Sequence, residues 1–275
     1  MAHPIPRRPE TVSLSFAFRP AGRPAGSALE ARILYFFALA FLMAGMVKGL
    51  LGMGLPLVSI TLMSILIEPK VAIPFVLASG IVLNLVQVIQ VGGVLAVTKR
   101  FTSLAIAAAV GVWVGTELLF AVDPRVIEIL LGIIVCGYVF INIIRIPPTL
   151  PKLWENRLSI PAGLVFGVLQ GATGSLAAPL AAWWQMLGLK KDEFVQASGY
   201  VLLIVVIPWS ASLIVKGAVT WRIAFISAGL MIPAAVGMYL GGRIRARVPE
   251  ERYRNLILAL LFFAGLVLLG KGVAS

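Results

Sequence analysis

The chain is nearly free of the residue types that build metal sites and nucleophilic centres. Among 275 residues there is one cysteine, Cys136, and one histidine, His3. An internal disulfide framework is therefore excluded. A zinc site of the usual Cys and His ligands and a Ser-His or Cys-His dyad inside the apolar part are excluded for the same reason. We predict no metal and no cofactor.

Charge is also scarce, and most of it is positive. Only 12% of the residues are charged and 60% are hydrophobic, whereas a soluble domain carries about a quarter charged residues. Several apolar runs exceed the ~18 residues that mark a membrane span. The sequence therefore predicts an all-α, multi-pass integral membrane protein of the bacterial inner membrane.

The positions of the basic residues argue against a nucleic-acid partner. The net charge is +12, but Lys and Arg lie in the N-terminal tail and in the connections between apolar runs. Membrane topology retains such basic loops on the cytoplasmic side. We therefore predict the lipid bilayer as a partner and no nucleic acid.

Eight apolar segments follow a basic, proline-rich tail that is predicted to be disordered and cytoplasmic. The segments cover residues 33–67, 72–92, 101–121, 126–144, 158–187, 194–215, 221–242 and 254–270. The predicted organisation is a tail over 1–32, a first transmembrane repeat over 33–145, a linker over 146–157 and a second repeat over 158–272.

Glycine and proline interrupt the first and the fifth segments. The first contains Gly45, Gly49, Gly52, Gly54 and Pro56 around one cation, Lys48. Glycine weakens a helix interior and proline removes a backbone donor, so a helix break is predicted there. The series recurs 122 positions later as Gly167, Gly171 and Gly174, with Gln170 in the place of Lys48. Paired breaks in two halves are the best sequence indication of a transporter's binding site.

These motifs resemble those of the sulfite exporter family, the TauE/SafE-like group. The resemblance rests on Gly45-x-x-x-Gly49-Leu-Leu-Gly52-Met-Gly54-Leu-Pro56, on the second copy from Gly167 to Pro179, and on two four-helix halves. It covers about residues 33–270. The resemblance implies about eight transmembrane helices in two four-helix pseudo-repeats, and a transporter of small sulfur-containing or organic anions.

The two breaks are predicted to bind an anion near the middle of the membrane. A half-helix that begins near Leu55 presents unpaired N–H groups and the positive end of its dipole. In the second copy Ser175 is the expected N-cap. The alternative role of the glycines is close helix packing. The predicted binding residues are Lys48, Gly49, Gly52, Gly54, Leu55, Asn84, Gln87, Gln170, Gly171, Thr173, Gly174 and Ser175.

Two charged residues stand inside apolar segments. Lys48 is predicted to add positive potential to the anion site, and the alternative is a lysine that reaches an interface. Glu117 is a candidate to pair with Lys48 or to carry a coupling proton, and the alternative is an interfacial carboxylate. A coupling ion, H+ or Na+, is the further partner considered, and the oligomeric state stays open.

A polar stripe runs along the second segment, where Asn84, Gln87 and Gln90 recur at every third position. It is predicted to face the bundle interior, as substrate ligands or in hydrogen bonds between helices. The tryptophans are assigned to an interfacial belt or to packing. They are Trp183, Trp184, Trp209 and Trp221.

The two most basic stretches give conflicting topologies. The tail and the arginine-rich loop at 243–254 are both expected inside, yet seven segments lie between them. The favoured arrangement has eight full crossings in two parallel halves. Re-entry of one broken segment removes the conflict, and re-entry of both restores it.

The sequence therefore predicts a secondary transporter, not an enzyme, that exports a small anion such as sulfite, an organosulfonate or a carboxylate. It would work by alternating access of two pseudo-repeats. An outward-moving anion gains about 2.3 kcal/mol per 100 mV from an interior-negative potential, which favours export. The alternative is a membrane-embedded enzyme acting on a lipid-like substrate, against which the lack of acid–base groups in the spans argues. A non-transporting scaffold would leave the paired breaks unexplained.

Overall fold

A computed structural model describes residues 27–91, 94–121 and 150–274, with three isolated positions between 121 and 150. Over these residues the chain is a bundle of helices. They are α1 Ser27–Leu51, α2 Leu55–Met63, α3 Pro69–Ala72, α4 Leu77–Val91, α5 Val94–Ala121, α6 Lys152–Thr173, α7 Ala177–Met186, α8 Lys191–Val215, α9 Trp221–Arg247 and α10 Glu250–Ala274. A short 3-10 helix, Ile73–Val76, joins α3 to α4.

Five stretches of the described residues are long and apolar enough to cross a membrane. They are Glu30–Leu51, Lys70–Gln90, Val97–Ala121, Lys191–Val215 and Trp221–Arg247. The prediction of an all-helical, multi-pass membrane protein is therefore confirmed. The predicted segment at 126–144 lies outside the continuously described residues, as do the tail before residue 27 and the first part of the linker.

Two helices begin earlier than the sequence predicted. Residues 27–32, assigned to the tail, belong to α1, and α6 begins at Lys152, inside the predicted linker. Each helix has a carboxylate in its first turn, Glu30 in α1 and Glu155 in α6. Because a negative charge stabilises the positive end of a helix dipole, both helices extend beyond their apolar segments.

Helices α1 and α9 run side by side in the same direction. At their first turns the Glu30 carboxylate lies 3.6 Å from the Arg222 guanidinium. Further along, Gly45 of α1 packs against the backbone of Ala234 of α9. The end of the bundle at which both helices begin is named the Glu30 end.

Helices α5 and α6 form a second parallel pair, which begins at the opposite end. The Arg100 guanidinium of α5 donates two hydrogen bonds to the Glu155 carboxylate of α6, at 2.6 and 2.9 Å. Further along, Gly111 packs against the backbone of Leu164. We name the end at which α5 and α6 begin the Arg100 end.

Helix α8 runs in the same direction as α5. The hydroxyls of Thr102 and Tyr200 lie 2.9 Å apart in the first halves of the two helices. Those of Thr116 and Ser212 lie 2.8 Å apart near their last turns. Helix α8 therefore also begins at the Arg100 end, as α6 does.

Helix α4 begins at the Glu30 end, beside the start of α9. The Ser227 hydroxyl of α9 donates to the Phe75 carbonyl at 2.7 Å and accepts from the Ala78 N–H at 3.2 Å. The chain leaves the Glu30 end in α1 and has therefore returned to it where α4 starts. By the same reasoning, the chain leaves the Arg100 end in α6 and has returned to it at the start of α8.

Each long helix with its short successor thus forms a hairpin that leaves one end of the bundle and returns to it. The two hairpins begin at opposite ends, which differs from the favoured arrangement of two parallel halves, and the number of membrane crossings stays a prediction. The short helices α2 and α7 have 9 and 10 residues. They rise about 15 Å at most, half of the ~30 Å hydrocarbon core, so neither completes a crossing of its own. The hairpins enter from opposite ends, and Glu30 lies at the end opposite the arginines that close α9.

Glycines bring the two helices of each parallel pair, α1 with α9 and α5 with α6, into backbone contact. A Cβ added at any of the paired glycines would overlap the backbone of the facing helix. These glycines are Gly45 and Gly49 on α1, Gly237 and Gly241 on α9, Gly111 and Gly115 on α5, and Gly163, Gly167 and Gly171 on α6. Glycines four residues apart let membrane helices approach closely, which is the packing role considered as the alternative above.

Candidate functional site

The first break separates α1 from α2 at Gly52–Gly54. The φ angles are +81° at Gly52 and +99° at Gly54, a region that glycine enters without steric cost. The Gly52 N–H donates to the Lys48 carbonyl at 2.7 Å, so α1 ends one turn after Lys48. Pro56 lies in the first turn of α2, where its missing N–H would have had no partner.

The second break separates α6 from α7 in a similar way. Gly174 has a φ of +74°, and its N–H donates to the Gln170 carbonyl at 2.9 Å. Gln170 therefore stands in the same position relative to the second break as Lys48 does to the first. The N-cap of α7 is Leu176, with no side-chain capping bond, so the prediction that Ser175 is the N-cap is wrong by one residue.

Thr173 stabilises the second break locally. Its hydroxyl donates to the Leu169 carbonyl at 2.8 Å and accepts from the Ser175 N–H at 3.2 Å. The Thr173 hydroxyl thus bonds to backbone groups on both sides of Gly174, the residue at which the helix ends.

A small cavity of about 30 Å³ lies between the two breaks. It has room for about two water molecules. Six of the predicted binding residues line it, and they come from both hairpins and from α4. These are Lys48, Gly54, Leu55, Asn84, Gln170 and Ser175. The remaining wall is largely apolar and includes Val76, Leu202 and Val206.

Lys48 is a buried lysine beside this cavity. It is 3% exposed, and its Nζ donates to Asn84 Oδ1 at 2.5 Å. Over the described ranges no carboxylate pairs with it. A neutral amide accepts one hydrogen bond from the three donors of a lysine ammonium, and it supplies no countercharge. Because an unpaired charge in the membrane interior is costly, the geometry leaves a place for a negative charge.

The N-termini of α2 and α7 add to the positive potential of the cavity. Leu55 and Ala177, the first residues of these helices, both line it. The first N–H groups of a helix have no partner within it, and the helix dipole places a partial positive charge there. In apolar surroundings such charges act more strongly than in water.

Gln87 holds the first break in place. It is buried, and its Nε2 donates to the Gly52 carbonyl at 2.7 Å and to the Val195 carbonyl at 2.5 Å. The side chain thus ties the end of α1 to the start of α8. Of the two roles left open for the polar stripe, Gln87 has the hydrogen bond to neighbouring elements, whereas Asn84 both bonds to Lys48 and lines the cavity.

The other predicted glycines contact protein around the cavity. Gly49 faces Met238 of α9, and Gly171 faces Val112 of α5. A Cβ at Gly52 would meet Val195, whose Cα would be 3.0 Å away, and one at Gly174 would meet side chains of the first hairpin and the 3-10 helix. Their contribution to ligand binding stays a prediction.

Glu117 lies away from the cavity, at the Glu30 end of α5. Its side chain is 64% exposed and its carboxylate lies 2.6 Å from Lys216 Nζ. The predicted pair of Glu117 with Lys48 is therefore wrong, because Glu117 is near the end of α5, where Lys216 follows α8. A role in coupling stays a prediction.

One cavity residue, Trp209, was assigned by sequence reasoning only to the belt or to packing. It is 1% exposed and lines the cavity. Its spacing from Leu202 and Val206 on α8 places the three on one helix face, but an apolar face by itself indicates only burial. Over the described residues no group of three or more His, Cys, Asp or Glu side chains could hold a metal ion.

Comparison with known proteins identifies the family. A family model described as sulfite exporter TauE/SafE matches residues 37–268, which include both breaks and every residue of the cavity. No curated protein and no solved structure matches the chain. Members of the matched family are transporters, so the alternative of a membrane-embedded enzyme is rejected. This chain belongs to the sulfite exporter TauE/SafE family of membrane transporters.

Proposed function

We propose that this protein is a secondary transporter that exports a small anion, with the cavity between the two breaks as its binding site. The observation that carries the proposal is the buried Lys48 Nζ, whose hydrogen-bond partner Asn84 is neutral. In its protonated form Lys48 needs a countercharge. An anion in the cavity supplies the missing negative charge and lies at two helix N-termini. Sulfite, an organosulfonate and a carboxylate are the candidate substrates, and the bacterial inner membrane is the proposed location.

The two breaks are proposed to be equivalent parts of two inverted pseudo-repeats, over 33–145 and 158–272. Three pairs of cavity positions support this with a constant offset of 122 residues: Lys48 and Gln170, Gly80 and Leu202, and Asn84 and Val206. Hairpins that enter from opposite ends are typical of inverted repeats. The first repeat would supply the charge, because the second repeat has the amide Gln170 in the place of Lys48 and the apolar Val206 in the place of Asn84.

Alternating access is proposed to move two units that each combine both repeats. Glycine contacts join the first hairpin to α9, and the second hairpin to α5. Backbones in direct contact leave little room for sliding, so each pair would move as one body. The cavity of about 30 Å³ lies between the units and is small. Rocking of one unit against the other would open it toward one end at a time.

The test of this function is anion efflux from proteoliposomes. Vesicles containing the purified protein are loaded with sulfite, sulfoacetate or acetate, and efflux is compared with that from protein-free vesicles. We expect saturable efflux of at least one anion. An interior-negative potential, set with potassium and valinomycin, should accelerate this efflux if the anion carries net charge outward. Efflux of all three anions at the protein-free rate would contradict the proposal.

The Arg100 end is proposed to face the cytoplasm. Among the described residues, basic side chains are more numerous there, and Lys and Arg are retained on the cytoplasmic side. The Arg100 end carries Lys99, Arg100, Lys152, Arg157, Lys190, Lys191, Arg243, Arg245, Arg247 and Arg252, whereas the Glu30 end carries Arg32, Lys70, Lys216 and Arg222. The start of α1 would then face outward, against the expectation of a cytoplasmic tail.

Cysteine labelling checks this orientation. The single native cysteine, Cys136, is replaced by serine, and Lys216→Cys or Arg157→Cys is introduced. In intact spheroplasts a membrane-impermeant maleimide is expected to label Lys216→Cys, and to label Arg157→Cys only after permeabilisation. The reverse pattern would contradict the orientation.

A further inference from the structure

Trp209 carries a hydrogen-bond donor that none of the described protein groups satisfies. Its indole Nε1 is buried and has no partner in the part of the chain that the structure describes. A buried indole N–H usually has an acceptor, and leaving one unpaired is costly. Because Trp209 also lines the cavity beside Lys48, an acceptor bound in the cavity would lie against this side chain.

We propose that Trp209 is a ligand of the transported anion and donates its indole N–H to an oxygen of that anion. The proposal rests on the proposed function. Lys48 and Trp209 stand on α1 and α8, so the two donors reach the cavity from different helices. A compact oxyanion with two or more acceptor oxygens satisfies both at once.

The chemistry of the indole N–H separates its role from that of Lys48. The indole is donor-only and uncharged, whereas the lysine supplies the countercharge. Trp209 therefore contributes a directed bond rather than long-range attraction. A second polar atom in the cavity wall, Gln170 Oε1, is also buried without a partner within the described ranges. Since amide orientation is assigned from such contacts, the Gln170 side chain can present its NH2 group to the same anion.

Two other tryptophans of the bundle serve for comparison. The Trp184 indole donates to the Ser198 hydroxyl at 3.0 Å, so it is satisfied within the protein. Trp183 is buried, and its Nε1 lacks a partner among the described residues, as that of Trp209 does. Trp183 is not among the residues that line the described cavity. Trp183→Phe is therefore the matched control, because it removes an unpaired buried indole away from the site.

The experiment measures sulfite, sulfoacetate and acetate binding to the full-length protein in detergent by titration calorimetry. Trp209→Phe is expected to weaken binding of the preferred anion about ten- to hundredfold, the range for one hydrogen bond to a charged group. Trp183→Phe should leave the dissociation constant within about twofold of wild type. The thermal unfolding midpoint is measured for each variant to show that it is folded.

A second variant tests the same hydrogen bond if Trp209→Phe is unstable. Incorporation of β-(3-benzothienyl)alanine at position 209 replaces the N–H by sulfur and retains the shape of the ring, and it should weaken binding equally. Wild-type affinity in both variants overturns the proposal, as does an equal loss in Trp183→Phe. Failure of wild-type protein to bind any of the three anions overturns the anion site itself, so the two failures are distinguishable.

Discussion

Lys48→Met is expected to reduce anion flux about a hundredfold or more. The substitution keeps the length and apolar character of the side chain and removes the countercharge of the bound anion. Removing one partner of a buried charge pair typically costs about 3–5 kcal/mol, which corresponds to a loss of roughly two to four orders of magnitude in affinity. The measurement is initial efflux of the preferred anion from proteoliposomes over a range of anion concentrations.

The same variant is expected to raise the thermal unfolding midpoint of the anion-free protein. Without ligand, the described partner of the buried Lys48 ammonium is the neutral Asn84 side chain, and a buried charge without a countercharge destabilises the fold. Opposite effects on flux and stability distinguish a binding residue from a structural one, whose loss lowers both.

Lys216→Met is the control for Lys48→Met. Lys216 is also a lysine next to a helix end, but it pairs with the exposed Glu117 at the Glu30 end. Exposed pairs contribute at most about 1 kcal/mol, so its flux should stay near that of wild type. Unchanged flux in Lys48→Met at every anion concentration removes Lys48 from the site.

Gly241→Val is expected to destabilise the protein by about 1–3 kcal/mol or to prevent its folding, as overpacking of a close contact does. A Cβ at Gly241 would overlap the Met46 carbonyl and lie 2.8 Å from the Leu50 nitrogen. Backbone atoms of the facing helix cannot move aside by a change of side-chain rotamer, so the two helices would have to separate. The measurements are the thermal unfolding midpoint in detergent and the yield of monodisperse protein.

Gly242→Val is a control at the neighbouring position. A Cβ at Gly242 meets no atom within 4 Å. Both substitutions add the same β-branched side chain to the same helix, so their effects on helix propensity are alike and the difference reports the α1–α9 contact. Equal midpoints for the two variants would show that this contact does not hold the first hairpin to α9, and the proposed moving units would fail.

Several features of this protein follow from its sequence alone, because they depend on local or summed properties of the chain. Membrane embedding follows from apolar runs long enough to span and from a charged fraction of 12%, about half of that typical of soluble domains. The positions of the two breaks follow from glycines that can adopt positive φ, at Gly52 and Gly174. The place of Lys48 inside a long apolar run also follows from the sequence, whereas its burial, rather than reach to an interface, was decided by the structure.

The roles of individual polar residues required contacts between distant parts of the chain. Glu117 and Lys48 are both charges within apolar segments, yet one forms an exposed pair with Lys216 and the other lines the cavity. Trp209 and Trp183 are both buried, and they differ in that Trp209 lines the cavity whereas Trp183 is not among its lining residues. Hydropathy indicates which segments are apolar and carries no information on which helix faces a given residue.

Chain direction after each break was decided only by the tertiary structure. A glycine-rich break permits a helix either to continue across the membrane or to turn back, since glycine accepts the backbone angles of both. The Ser227 bond to Phe75 shows that the first hairpin returns, and the Arg100–Glu155 pair sets the opposite entry of the second. The sequence by itself thus determined that there are two breaks and where they lie. Long-range packing decided that the chain turns back after both breaks and that they meet at one cavity, because that choice depends on the energy of contacts that no local segment contains.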